Sequence, residues 1–332
     1  YAVVVGWILK YTVQSFSGIL QVTENYGELF GTITTRYSSL TWHFTAILIS
    51  LLIMVAGIQG GIEKINRVLM PLFFGLFCLL AIRVFFLENS ISGYEFLWKT
   101  DFEKIFQIKT WIFALGQAFF SLSLAGSGTV VYGSYLKEEV DVINSSIHVA
   151  FYDTFAAILA ALVIIPAVFS FGMEVSAGPG LMFLVMPSVF QQMTFGRIFS
   201  SLFFLAVFFA GITSLVNLFE SSIEALEEKF SFSRRKAVSI VMIFSFLIGI
   251  FVEDVNYLGK LMDIVSIYLI PLGAFLSAIL FYWVCGDEFV RREIQKGRLK
   301  SFPKCLLPMG KYLFCGISFV VFILGIFYHG IG

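Results

Sequence analysis

The residues best placed to do chemistry in this chain are polar groups set in apolar surroundings. Asp153 lies in SSIHVAFYDTFAAILAALVIIPAVF, a stretch with no other Asp, Glu, Lys or Arg. An ionisable side chain at membrane depth is expensive and points to a functional site. Upstream, the apolar run from Trp111 to Tyr135 is interrupted by Ser121-Leu122-Ser123-Leu124-Ala125-Gly126-Ser127-Gly128. Each glycine there costs about 1 kcal/mol in a helix interior. Backbone left unpaired in hydrocarbon is tolerated only where it lines a cavity, and carbonyls freed in this way hold substrates and cations at the membrane midplane. A straight helix with small residues for tight packing also fits the run. A third cluster, Ala210-Gly211-Ile212-Thr213-Ser214, sets two adjacent hydroxyls in a long apolar stretch. Those hydroxyls either face a ligand or bond back to their own helix. Covalent catalysis finds no support, because no apolar span pairs a nucleophile with a base. His148, five residues from Asp153, is off its face of a helix.

The elements that must carry these groups are membrane helices. Charged residues make up 13% of the chain, about half the usual soluble share of ~25%. Hydrophobic residues are 58%, Phe alone numbers 40, and the mean hydropathy is +0.90. The composition predicts an all-α integral membrane protein with one transmembrane domain over 1–332. A net charge of zero gives no sign of a nucleic-acid partner. Cys78, Cys285, Cys305 and Cys315 have no ligand spacing and read as packing residues. The three histidines are too dispersed for a metal site.

Apolar windows of about 20 residues give nine spans, near 1–20, 43–60, 67–88, 111–135, 146–172, 196–228, 235–252, 258–285 and 309–330. With Tyr1 in the cytoplasmic half, the inner loops hold 14 Lys and Arg and the outer loops 6. That bias fixes the orientation.

Gly116-Gln117-Ala118-Phe119-Phe120-Ser121-Leu122-Ser123-Leu124 resembles the sixth helix of the neurotransmitter:sodium symporters. There a Gly-Gln-x-Phe-Phe-Ser/Thr-Leu-Ser-Leu segment precedes an unwound turn. The resemblance extends over nearly the whole chain. It implies a leucine-transporter-like inverted-repeat helical bundle with a broken central helix. The nine spans would be the family's third to eleventh helices, making the chain the C-terminal part of a longer symporter.

The resemblance also implies roles for residues. Tyr1, six residues before Trp7, matches the tyrosine whose hydroxyl bonds the substrate carboxylate. Phe120, Ser121, Ser123, Leu124, Gly126 and Leu218 match the substrate site. Ser121 and Asp153 match ligands of one sodium ion, and Ala210, Thr213 and Ser214 ligands of a second. Oxygen-only ligation of that kind suits a hard monovalent cation. Both sodium sites would be only partly present in this chain. Asp153 stands where the family has Asn, and Ala157 where some chloride-independent relatives carry a carboxylate. Chloride is therefore not expected to be required. Gln117 and Asp263 match outer gate partners, Tyr135 and Glu228 one half of an inner gate. Gly61 and Pro71 match a hinge that lets a helix unwind at its cytoplasmic end. Gly178-Pro179-Gly180 matches an outer loop that folds into the extracellular vestibule.

The function so implied is sodium-coupled import of an amino acid, large and hydrophobic or aromatic if Gly126 enlarges the pocket, by alternating access. The short stretch 21–42, which lacks Cys, looks bacterial and implies a prokaryotic inner membrane. A sodium-binding sensor on the same fold and a proton-coupled permease are the alternatives. The retained Thr213-Ser214 pair argues for sodium over protons. The sequence leaves the oligomeric state open.

Overall fold

The computed structural model describes residues 1–35, 37–99, 101–124, 128–173 and 178–328, with only the backbone of 58–60. Ala125, Gly126 and Ser127 lie outside the described residues, so the expectation for Gly126 is not met by any geometry here. All described secondary structure is helical.

Each of the nine expected spans is a helix or an interrupted pair of helices. They are α1 (Ala2–Ser17), α2 (Leu40–Val55), α3 (Lys64–Phe85), α4 (Ile108–Ser121), α5 (Gly128–Ser134), α6 (Val142–Ser170), α7 (Gly196–Phe230), α8 (Arg234–Val252), α9 (Val255–Val284) and α10 (Leu306–Tyr328). Among the described residues, six helices are long and apolar enough to cross a membrane. The other three expected spans are α1 and α2, of 16 residues each, and the interrupted pair α4 and α5. The outward faces carry residues such as Leu52, Phe86 and Phe251, each at least 65% exposed. Apolar faces of this extent suit lipid, not water.

The chain divides into two compact units, residues 1–100 with 156–258 and residues 101–155 with 259–332. In the first, α7 packs against α1, α3 and α8, while α2 packs against α1 and α8. Its core is aromatic: Trp7, Tyr11, Phe183, Phe203 and Phe204 are all essentially inaccessible. Tyr11 and Phe183 lie 4.9 Å apart between ring centroids, and Trp7 meets Phe30 edge-on at 5.8 Å. Phe183 comes from the segment after Gly180 and packs on the core of this unit, whereas Gly178 and Pro179 themselves are exposed.

At 35 residues α7 is about 52 Å long, well beyond a hydrocarbon core of ~30 Å. Its last turns therefore leave the membrane, and α8 returns from there. Ahead of α3, a π-helical turn spans Ile58–Glu63, and Pro71 sits inside α3 itself. Proline has no N–H to give the carbonyl four residues back, so Arg67 loses its helical acceptor role. Gly61 thus falls in the π-helical turn and Pro71 within α3.

In the second unit α10 packs against α4 and α9. Phe119, Ala274 and Val321 are buried together and hold the first half of the broken helix in place. The reading of the cysteines as packing residues suits Cys315, which is buried; Cys78, Cys285 and Cys305 are exposed.

Candidate substrate and cation site

The break in the central helix is built by its own sequence. Ser121 is the last residue of α4, and Ser123 has φ 52°, a left-handed conformation that a non-glycine residue adopts at a cost. The Ser123 N–H turns back to the Phe120 carbonyl at 3.0 Å, and the Leu124 N–H to the Phe119 carbonyl at 3.1 Å. Thr129 Oγ1, at the start of α5, donates to the Ser123 carbonyl at 3.0 Å. These bonds satisfy part of the freed backbone. The Phe120 carbonyl, expected to be free for an ammonium group, thus accepts one bond already and keeps its second lone pair.

Ser121 Oγ donates to Asp153 Oδ2 at 3.0 Å, across 32 residues of sequence. The bond joins the end of α4 to the middle of α6, and it brings together the two residues expected to ligate one cation. A serine hydroxyl that donates to the carboxylate keeps its lone pairs for a metal ion. The pair therefore offers a net negative, oxygen-only donor set. Phe120 is 49% exposed beside it.

The second expected set lies on α7, in the other unit. Thr213 Oγ1 donates to the Ala210 carbonyl at 3.0 Å, the back-bonded form foreseen for a membrane hydroxyl. That bond too uses the proton and leaves oxygen lone pairs. The Tyr1 hydroxyl lies near the Ser214 side chain, which sets the start of α1 beside this cluster. Leu218, one turn on, is 43% exposed.

The expected gate residues are less engaged. Gln117 and Asp263 are both exposed. Tyr135 packs edge-on against Tyr132 with centroids 6.2 Å apart, and Glu228 is exposed.

Among the ion pairs outside the expected set, two have partly buried partners. Arg234, at the head of α8, donates from both terminal nitrogens to Glu220, at 2.6 and 2.7 Å. It also reaches Glu227 at 3.3 Å and the Met54 carbonyl at 3.3 Å. Glu220 is wholly buried. In the second unit Arg298 bonds both oxygens of Asp141, at 3.1 and 3.2 Å. The Asn144 N–H, and with it this guanidinium, hold the Asp141 carboxyl below its ordinary range. The signal for Glu220 was present in the sequence, as a carboxylate in an apolar helix. What the sequence did not supply was its partner.

Such a bundle, with a broken helix and oxygen-rich clusters at membrane depth, defines a multi-pass membrane transporter. Residues 29–329 match the model of the sodium:neurotransmitter symporter family, and the chain belongs to that family. It is 35% identical over 312 residues to the sodium-dependent transporter YhdH of Bacillus subtilis, covering 90% of this chain and 69% of that one. A sodium-dependent transporter of Haemophilus influenzae is 31% identical, covering 98% and 76% respectively. The crystal structure of MhsT in complex with L-phenylalanine superposes with a TM-score of 0.87 at 28% identity, over 98% of this chain and 77% of that one. The protein is thus a sodium-dependent symporter of bacterial type and not an enzyme.

Proposed function

We propose that this chain forms most of a sodium-coupled amino-acid importer, contributing its third to eleventh helices. Ser121 and Asp153 bind one sodium ion, and Ala210, Thr213 and Ser214 bind another. The substrate ammonium group meets the Phe120 and Ser121 carbonyls and the Ser123 hydroxyl. There the end of α4 presents the negative pole of its dipole. Tyr1 bonds the substrate carboxylate, and Leu124, Gly126 and Leu218 shape the side-chain pocket.

The observation that carries this reading is the Ser121–Asp153 hydrogen bond at the helix break. It joins a fixed negative charge to a donor beside the proposed substrate. That charge also supports chloride independence, since the site then needs no external anion. A substrate that is large and apolar is in keeping with the L-phenylalanine bound by MhsT. Coupling requires only that sodium prefer one conformation. Gln117 with Asp263, and Tyr135 with Glu228, then serve as outer and inner gate groups. Gly61 and Pro71 open the inner path.

The test is uptake of labelled amino acids by the full-length product in proteoliposomes, under an inward sodium gradient and a matched potassium control. Uptake that requires sodium, and is lost in Asp153→Ala and Ser214→Ala, is the expected result. Saturable binding without net flux would make the protein a sensor instead.

A further inference from the structure

The first unit buries an acid and a base that the transport site does not use. His43, on α2, and Glu253, which follows α8, are both wholly inaccessible. Nδ1 of the imidazole lies 3.7 Å from Oε1 of the carboxylate, too far for a full hydrogen bond. Both ring nitrogens and both carboxylate oxygens are left without one. Buried polar atoms are normally paired, so four orphans facing one another demand an explanation.

The surroundings are shaped around the ring. A Cβ on Gly249 of α8 would come within 2.0 Å of the His43 Cε1, and one on Gly6 of α1 within 2.7 Å of the His43 backbone nitrogen. Any larger residue at either position would displace the histidine. Phe246 covers another side, with ring centroids 5.4 Å apart. The Ser39 hydroxyl and the Tyr37 N–H approach the carboxylate at longer range, and Trp7 Nε1 donates to Ser39 Oγ at 3.1 Å.

Few other charges reach the pair. α2 has no further ionisable side chain. α1 carries Lys10 and Tyr11. Arg234, Arg235 and Lys236 of α8 are about 20 Å along the helix from Gly249. The carboxylates of α7, Glu220, Glu224, Glu227 and Glu228, belong to its cytoplasmic end. Arg197, at its outer end, is engaged with the Phe16 carbonyl. Asp254 accepts from the Asn256 N–H at 2.8 Å. Arg36 lies outside the described residues.

An ionised carboxylate beside a neutral imidazole would place an unbalanced charge in this buried site. One additional proton makes the pair neutral overall, either as a carboxylic acid beside imidazole or as imidazolium beside carboxylate. We propose that His43 and Glu253 form a buried proton-binding site that holds one exchangeable proton between them. The two groups titrate as a unit. Proton loss favours rearrangement where α2, α8 and, through Trp7 and Ser39, α1 meet. Because Tyr1 caps α1, the site, on the proposed reading of Tyr1 as a substrate group, links pH to the helix next to the substrate.

The test is infrared difference spectroscopy of the full-length protein in lipid nanodiscs, between about pH 5 and 8, where imidazole ordinarily changes charge. The expected result is a pH-dependent band, from the protonated carboxyl or from the carboxylate beside imidazolium, present in the wild type and absent in Glu253→Gln. In His43→Gln its titration should move by about one unit or more. Superimposable spectra from wild type and Glu253→Gln would overturn the proposal. If Glu253→Gln does not fold, an unchanged carboxyl titration in His43→Gln overturns it equally. The pH profile of uptake should also flatten in Glu253→Gln, an effect that mere packing loss would not produce. Absence of any sodium-driven uptake would count against the transport reading alone, since the spectroscopic result does not depend on flux.

Discussion

Ser121 Oγ and Asp153 Oδ2 are 3.0 Å apart, so the C-terminal end of α4 and the middle of α6 are joined by a charge-assisted hydrogen bond. The bond sits where α4 stops. A cation entering there meets a carboxylate already oriented by a hydroxyl, and little ordering remains for binding to supply.

Removing that carboxylate should weaken sodium binding. A hydrogen-bonded charged ligand contributes about 2 kcal/mol, or roughly 30-fold in affinity. Asp153→Ala should therefore raise the half-saturating sodium concentration by at least that factor. Asp153→Asn should in addition make uptake respond to chloride, measured by replacing chloride with gluconate. Chloride-insensitive Asp153→Asn transport would refute the charge argument.

Tyr1 lies near Ser214, so the proposed substrate and sodium groups of the first unit are neighbours. Tyr1→Phe removes the proposed hydrogen bond to the substrate carboxylate, worth about 2 kcal/mol, and should raise KM roughly 30-fold. Ser214→Ala should act mainly on the sodium dependence. Competition binding at several sodium concentrations separates the two effects.

Arg234 and Glu220 are a stability test. Breaking a buried pair by removing one partner costs up to about 3–5 kcal/mol, the lower end applying here because Arg234 keeps its 3.3 Å contact with Glu227. Glu220→Ala should accordingly lower the thermal midpoint of the purified protein strongly. The double variant Glu220→Leu with Arg234→Met should recover much of the loss. Equal midpoints for Glu220→Ala and wild type would show that the pair is dispensable.

Asp141 gives a pH prediction of definite sign. The Asn144 N–H and Arg298 depress its folded-state titration relative to the unfolded chain. Its contribution is therefore complete above the unfolded-state value and disappears as pH falls through the folded-state value. Thermal midpoints measured down an acid series should fall less steeply in Asp141→Asn than in wild type. Parallel curves would remove Asp141 from the account.

Several parts of this architecture were legible because membrane helices announce themselves locally. The spans at 146–172 and 196–228 correspond to α6 and α7, whose uninterrupted apolar stretches leave the backbone no alternative in hydrocarbon. The break after Ser121 was equally readable, since small and hydroxylated residues there oppose a continuous helix. Asp153 stood out by type alone. The π-helical turns, such as Ile58–Glu63 and Ile264–Leu269, left no such mark. A shift from four-residue to five-residue hydrogen bonding alters no local composition. Glu228 was singled out as the acidic group at the end of α7, whereas Glu220 and Glu227 are the ones that engage Arg234.

The sequence by itself determined the helices, the position of the break and the identity of the polar groups set in apolar helices. All of these follow from short-range composition and from the energetics of lipid. Tertiary structure alone decided how distant groups meet. The family resemblance had already set Ser121 with Asp153, and the structure joins them by a hydrogen bond, but Glu220 finds Arg234 only because α7 and α8 turn back on each other. His43 meets Glu253 only where Gly6 and Gly249 let the helices close. An apolar helix reveals that it is buried in lipid or protein, but its neighbours are chosen by the fit of side chains along its whole length.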